Sequence, residues 1–186
     1  MRKNFGAKTW LYPMPVLILG TYNADGTPNA MNAAWGGISE ENEISVCVSD
    51  DHKTTENFLK TGAFTVSVAT GETAVAADYV GIVSGTDTPD KIVRAGWHTL
   101  KSAFVNAPLF VELPMALECE VISYDKEACR LVGKIVNVSA DECVLDEKGR
   151  IDAEKLNPIV YDPVAHAYRT LGPVVAKAFS AGKALK

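Results

Sequence analysis

The feature that most constrains the fold is a pair of strand-length segments joined by a turn near the start of the chain. Residues 16–22 form a nearly continuous apolar run of strand length. Residues 23–28 are rich in turn-forming side chains and include Gly26, which can adopt a positive φ. Residues 29–35 then return as a second strand-like segment. The pattern predicts a β-hairpin.

Further strand-like segments follow along the chain, with few and short helical ones between them. Strands are predicted at residues 43–49, 64–69, 116–124 and 130–138, and helices at residues 55–60, 72–80, 90–95 and 174–179. Several antiparallel strands with short helices predict a mainly β fold of the α+β type, closed wholly or partly into a barrel, because closure removes exposed strand edges. Since the sequence has no repeat, linker or low-complexity tract, we predict a single domain over residues 1–186.

Composition excludes several classes of protein. A net charge of −5 disfavours a nucleic acid partner. The apolar run at residues 10–19 is interrupted by Pro13 and Pro15, which argues against an export signal, and no apolar stretch is long enough for a membrane helix. The four cysteines lack a C-x-x-C pair and are typical of a reducing compartment, so we expect a cytoplasmic protein.

The familiar catalytic and nucleotide motifs are missing. Neither a G-x-G-x-x-G nor a G-x-x-x-x-G-K-[ST] pattern occurs. His52, His98 and His166 are widely separated, so no metal site is predicted. Residues 81–85 lack the G-x-S-x-G spacing of a nucleophile elbow. We identify no catalytic acid, base or nucleophile.

Two segments remain that suggest a ligand. Residues 52–55 combine a lysine and two threonines at a predicted helix start, an arrangement that suits a phosphate. Alternatively, Thr54 or Thr55 only caps the helix and Lys53 is solvated. Residues 29–37 contain two asparagines, Trp35 and two glycines; the alternative of a plain core strand is disfavoured because unpaired amides are costly to bury. A ligand with a planar head and a phosphate accounts for both segments.

The chain resembles the flavoredoxins and the wider flavin reductase-like group of FMN-binding split barrels. The resemblance is carried by residues 10–16, 25–31, 34–37, 53–57, 78–85, 90–91, 107–108, 168–172 and 178–179. It implies a six-stranded, antiparallel, Greek-key-like split barrel that forms a homodimer and binds FMN noncovalently near the subunit interface.

The resemblance also assigns residues to the cofactor. It places Asn29, Met31, Asn32 and Trp35 on the isoalloxazine side and His52, Lys53, Thr54 and Thr55 on the phosphate side, with Ser84, Lys91 and Tyr168 as further contacts. Many relatives have an arginine before the phosphate-binding threonine, where this chain has His52 and Lys53. Phosphate affinity is therefore expected to depend on pH if His52 takes part.

The resemblance leaves two main functions open. In one, NADH or NADPH reduces the FMN, and the protein acts as a flavin reductase that passes electrons to an acceptor. In the other, the protein is a flavoredoxin-type electron carrier that is served by a redox partner protein and has no NAD(P)H activity of its own. Less favoured alternatives are pyridoxamine phosphate oxidation, binding of haem or another planar ligand, and a barrel without a cofactor.

Overall fold

The computed structural model describes residues 1–185, and Lys186, the last residue of the predicted domain, lies outside the described residues. In chain order the strands are β1 (Met14–Pro15), β2 (Leu17–Tyr22), β3 (Pro28–Ala33), β4 (Gly36–Glu40), β5 (Glu43–Cys47), β6 (Ala63–Val68), β7 (Thr99–Lys101), β8 (Pro108–Phe110), β9 (Met115–Asp125), β10 (Arg130–Ala140), β11 (Ile159–Asp162) and β12 (Ala167–Thr170). The α-helices are α1 (Lys53–Thr61), α2 (Ala74–Ile82), α3 (Lys91–Arg94) and α4 (Ala153–Leu156), and 3-10 turns lie at Glu142–Val144 and Ala181–Leu185.

The main sheet curls so that its two edges come from one stretch of chain. Its strand order is β3-β2-β6-β9-β10-β5-β4, and every neighbouring pair is antiparallel. The edge strands β3 and β4 are separated in sequence by only Ala34 and Trp35. If β3 and β4 are counted as one bent strand, the barrel has six strands. The predicted mainly β fold with short helices is therefore confirmed.

Strand β2 is buried on both faces, which explains its continuous apolar run. Leu17 and Leu19 pack in one cluster with Phe58, Phe64 and other apolar side chains. The intervening Ile18 packs in a second cluster that includes α2 residues. Burying each such side chain contributes about 1.5–3 kcal/mol. Strand β2 thus packs against α1 on one face and against α2 on the other.

The predicted helix at residues 174–179 is wrong. Residues 171–180 contain no helix, and Val174, Val175 and Phe179 are 84%, 95% and 102% exposed. A helix this short needs tertiary packing to form, and two successive β-branched valines lower its propensity further. The hairpin of β9 and β10 is confirmed, while the short strands β1, β4, β7, β8, β11 and β12 and the short helix α4 were not predicted. Among the described residues, the helices lack the length and apolar character that crossing a membrane requires.

Candidate functional site

The start of α1 leaves hydrogen-bond donors free. Its N-cap, His52, has extended backbone and makes no side-chain capping bond. The amides of Thr55 and Glu56 both donate to His52 O, at 3.0 and 3.2 Å. Within residues 1–185 the amides of Lys53 and Thr54 have no acceptor. Because the helix dipole adds positive character at the same point, these amides suit an anion.

Asn29 on β3 orients the Thr54 hydroxyl. Asn29 and Thr54 are each 2% exposed, and Asn29 Nδ2 donates to Thr54 Oγ1 at 2.9 Å. A hydroxyl that accepts a hydrogen bond keeps its own proton for another acceptor. In the described part of the chain, Asn29 Oδ1 is buried without a partner. One free donor and one free acceptor therefore lie beside the uncapped helix start.

Thr55 differs from Thr54, although the sequence analysis treated them alike. The Thr55 hydroxyl donates to Ser49 O at 2.6 Å, and this bond uses its only proton. Asn57 on the same helix donates to Thr21 Oγ1 at 3.1 Å and to Asn23 Oδ1 at 2.8 Å. Thr55 and Asn57 thus fix the position of α1, and of the two threonines Thr54 is the one with a hydroxyl proton available to a ligand.

The charged side chains of the first turn are partly paired. Lys53 Nζ lies 2.9 Å from Glu56 Oε2, and Lys60 Nζ lies 2.6 Å from the other carboxylate oxygen. Hydrogen bonds from Lys60 and Lys53 lower the pKa of Glu56 to about 2. The side chain of His52 is 47% exposed and lies 3.9 Å from the Asp51 carboxylate. Lys53 is the cation nearest in sequence to the free amides.

Asn32 and Tyr168 meet in a separate cleft beside α2. The cleft has a volume of about 220 Å³ and is lined by Val16, Asn32, Ala34, Asp78, Gly81, Ile82, Tyr161 and Tyr168. Asn32 Nδ2 donates to Ala77 O at 3.1 Å, and the Tyr168 hydroxyl donates to Asp78 Oδ1 at 2.7 Å. Burial and the bond to Asp78 raise the pKa of Tyr168 to about 12, so the phenol remains protonated at neutral pH. Asp78 was not assigned to the site from the sequence, although residues 78–85 carry part of the resemblance.

Trp35 lies at the bend between β3 and β4. Its side chain is 55% exposed and borders a groove of about 340 Å³ that also includes Gly36, Gly37 and Arg130. Because so much of its indole is exposed, Trp35 does not belong to the hydrophobic core. Met31, by contrast, packs against the apolar cluster around Leu19, so its side chain contributes to the core.

Lys91 and Ser84 belong to the segment that follows α2. Lys91 is 3% exposed, and its Nζ donates to Val80 O at 3.2 Å and to Val83 O at 3.0 Å. Burial lowers the pKa of Lys91 to about 8. Ser84 is exposed and its Oγ accepts from the Thr86 amide at 3.1 Å. Both residues therefore make hydrogen bonds that hold the chain after α2.

Three of the predicted residues lie along one strand and the bend that follows it. Asn29 faces α1, Asn32 faces α2, and Trp35 follows at the bend. Asn29 and Asn32 lie on opposite faces of β3, since they pair with Thr21 and Ile18 of β2, whose side chains alternate. At about 3.3 Å per residue, the segment from Asn29 to Trp35 spans at most about 20 Å. The two asparagines are thus presented to two different helices from a single strand.

Comparison with known proteins places this geometry in a family. The flavin reductase like domain matches residues 9–171. The flavoredoxin of Desulfovibrio vulgaris (Miyazaki F) is 37% identical, with a TM-score of 0.93 over 98% of this chain and 100% of that one. A flavoredoxin from Methanosarcina acetivorans is 25% identical, with a TM-score of 0.89 over 100% of both chains.

A more distant solved structure shares the fold alone. Nitrilotriacetate monooxygenase component B from Bacillus cereus is 22% identical, with a TM-score of 0.76 over 90% of this chain and 88% of that one. No curated protein sequence matches the chain. The family match over most of the chain and the identity to the Desulfovibrio protein lead to one conclusion: this chain belongs to the flavin reductase-like domain family.

Proposed function

We propose that the protein binds FMN noncovalently and works as a redox protein. The observation that carries this proposal is the start of α1, where the free amides of Lys53 and Thr54 adjoin the Thr54 hydroxyl, whose proton is free. The amides and the hydroxyl are donors of the kind that a phosphate monoester accepts.

We assign the phosphate to the amides of Lys53 and Thr54, the Thr54 hydroxyl and the Lys53 ammonium group. An ammonium group has three donors, so Lys53 can contact Glu56 and a phosphate together. His52 is exposed enough to approach the same anion. Thr55 is assigned a supporting role, because its hydroxyl proton is held by Ser49 O.

We assign the flavin ring to the region of Asn32, Trp35 and Tyr168. The Asn32 and Tyr168 side chains border the cleft beside α2, and the exposed indole of Trp35 offers a flat apolar surface. Met31 supports this region from the core side of β3, and Lys91 and Ser84 hold the adjoining turn. Bound FMN supplies the redox chemistry, and these residues bind it, orient it and control access to it.

We propose two sources of electrons, which differ in kind. The family assignment supports a flavin reductase that oxidises NADH or NADPH. The similarity to two flavoredoxins over their full length supports an electron carrier that is reduced by a protein partner instead. The two functions require the same FMN site and differ in what reduces it.

We further propose that the protein is a cytoplasmic homodimer. Val75 and Ile82 on α2 are 85% and 73% exposed, and the apolar side chains of residues 174–179 are also exposed. Apolar side chains in this number suit contact with a second copy of the chain. The four free cysteines fit a reducing compartment. Sedimentation equilibrium tests the dimer, and a monomer at micromolar concentration contradicts it.

The experiment that tests the function begins with the absorption spectrum of the purified full-length protein. We expect an oxidised-flavin spectrum, or its appearance after FMN is added. A colourless protein that does not bind added FMN contradicts the proposal and favours a barrel with another ligand or none. Anaerobic mixing with NADH or NADPH then separates the two functions. Rapid bleaching indicates the reductase, and slow bleaching with rapid reduction by a donor protein indicates the carrier.

A further inference from the structure

The turn after α2 packs against β3 and the start of α1. Gly85 lies between Asn29 and Lys53: a Cβ atom built on Gly85 would be 3.3 Å from Asn29 Cγ and 3.5 Å from Lys53 Cγ, and it would overlap Asn29 Oδ1. Gly81, four residues earlier, makes a similar approach to β3, since its Cβ would lie 2.8 Å from Asn32 Cβ. Two glycines thus bring the end of α2 and its turn against the two asparagines of β3.

Gly85 is required for space and not for backbone conformation. Its φ lies outside the left-handed region in which glycine is favoured. A residue with a side chain can therefore adopt this backbone, but its Cβ atom would overlap the side-chain amide of Asn29. The overlapping atom is the buried carbonyl oxygen of Asn29, which has no hydrogen-bond partner within residues 1–185. Contact with Gly85 and two hydrogen bonds from Nδ2, to Thr54 Oγ1 at 2.9 Å and to Thr21 Oγ1 at 3.4 Å, fix this amide.

The turn cannot easily move away to make room for a side chain. Lys91 Nζ donates to Val83 O at 3.0 Å, and the Thr88 amide donates to Ser84 O at 2.9 Å. The Lys91 amide in turn donates to Thr88 O at 3.2 Å. These three bonds lie on both sides of Gly85 in sequence. An added methyl group is therefore expected to move the Asn29 amide, which is held by fewer bonds.

Moving that amide affects the Thr54 hydroxyl. The Nδ2 and Oδ1 atoms of Asn29 belong to one planar amide, so displacing Oδ1 also displaces the 2.9 Å bond from Nδ2 to Thr54 Oγ1. Without this donor, the Thr54 hydroxyl is free to rotate and its proton is no longer directed to a ligand. The contact at Gly85 thereby affects the proposed phosphate site through Asn29 and Thr54.

We propose that Gly85 is a positioning residue that gives the site its preference for a phosphorylated flavin over an unphosphorylated one. Its missing side chain lets the turn fix Asn29, and Asn29 directs the Thr54 proton at the phosphate. Gly85 touches neither the reacting atoms nor the phosphate through a side chain. This proposal rests on the proposed function, because it takes the phosphate of FMN to lie at the start of α1.

The test uses Gly85→Ala in the full-length protein, with FMN and riboflavin as separate probes in fluorescence titrations. We expect the affinity for FMN to fall by about tenfold or more, as for loss of one charge-assisted hydrogen bond, while the affinity for riboflavin is unchanged. Gly172→Ala is the matched control, because a Cβ there meets nothing within 4 Å, and we expect it to leave both affinities unchanged.

A double-mutant cycle checks the route through Asn29. Asn29→Ala removes the atoms that a Cβ on Gly85 would overlap, so Gly85→Ala is expected to have no further effect on FMN affinity in that background. Asn29→Ala alone is expected to remove as much of the FMN preference as Gly85→Ala does. This variant creates no overlap and decides the question if Gly85→Ala does not fold.

The outcomes separate the two proposals. If the wild-type protein binds neither flavin, the proposed function is wrong. If it binds riboflavin as tightly as FMN, the phosphate assignment and the role of Gly85 are wrong, while flavin binding stands. If the wild-type protein prefers FMN and Gly85→Ala or Asn29→Ala keeps that preference, only the role of Gly85 is overturned. An equal loss of affinity for both flavins, or a full effect of Gly85→Ala in the Asn29→Ala background, also overturns it.

Discussion

Replacing Thr54 by valine tests the phosphate assignment with a small change in shape. Valine keeps the branched form of threonine and removes the hydroxyl whose proton is free, since Thr54 Oγ1 accepts from Asn29 Nδ2 at 2.9 Å. A hydrogen bond to a charged group contributes about 1.5–3 kcal/mol. The affinity for FMN is therefore expected to fall by about 10- to 150-fold.

Thr55→Val provides the comparison on the adjacent residue. The Thr55 hydroxyl donates to Ser49 O at 2.6 Å, so its loss is expected to lower the free energy of unfolding by about 0.5–1.5 kcal/mol. The affinity of the folded variant for FMN should remain close to that of the wild type. Two neighbouring threonines are thereby predicted to give different results, one in binding and the other in stability.

The assay is isothermal titration of each variant with FMN and with riboflavin, after urea denaturation has established the folded fraction. The Thr54→Val effect should be confined to FMN, because riboflavin has no phosphate. Equal losses of FMN affinity in both variants would refute the distinction between the two hydroxyl groups. A loss that is the same for riboflavin as for FMN would show that Thr54 does not contact the phosphate.

Three further predictions concern other parts of the molecule. Burial lowers the pKa of Lys91 from 10.5 to about 8, so between these pH values the unfolded chain binds more protons than the folded one. The contribution of Lys91 to the free energy of unfolding therefore rises with pH over this range, by at most about 3 kcal/mol. The urea midpoint of Lys91→Met should lack that rise. Trp35→Ala, at a side chain 55% exposed, should alter flavin absorption and reduction potential while leaving the thermal midpoint nearly unchanged. Leu19→Ala, at a fully buried position, should cost about 2–5 kcal/mol in urea denaturation.

Local sequence patterns predicted the strands and turns that are marked by apolar runs and by turn-forming residues. The apolar run of β2, the turn around Gly26 and the long hairpin of β9 and β10 were all recognised. Gly62 ends α1 in the left-handed conformation, with φ 69°, which glycine adopts readily. These features depend on interactions between residues that are near in sequence, so single-sequence reasoning captures them.

Tertiary contacts decided what the sequence did not reveal. The helix expected at residues 174–179 did not form, because its apolar side chains have nothing to pack against within the described chain. Thr54 and Thr55 have the same side chain, and their roles differ only because Asn29 lies beside one and Ser49 O beside the other. The importance of Gly85 likewise depends on its contact with Asn29, which is 56 positions away along the chain.

The proposed FMN site has its phosphate at the start of α1, and a crystal structure of the protein grown with FMN would show where that phosphate lies. We expect phosphate oxygens within hydrogen-bond distance of Thr54 Oγ1 and of the Lys53 and Thr54 amides, with the flavin ring near Trp35. Electron density that places the phosphate elsewhere, with the Thr54 hydroxyl making no contact to it, would overturn the assignment.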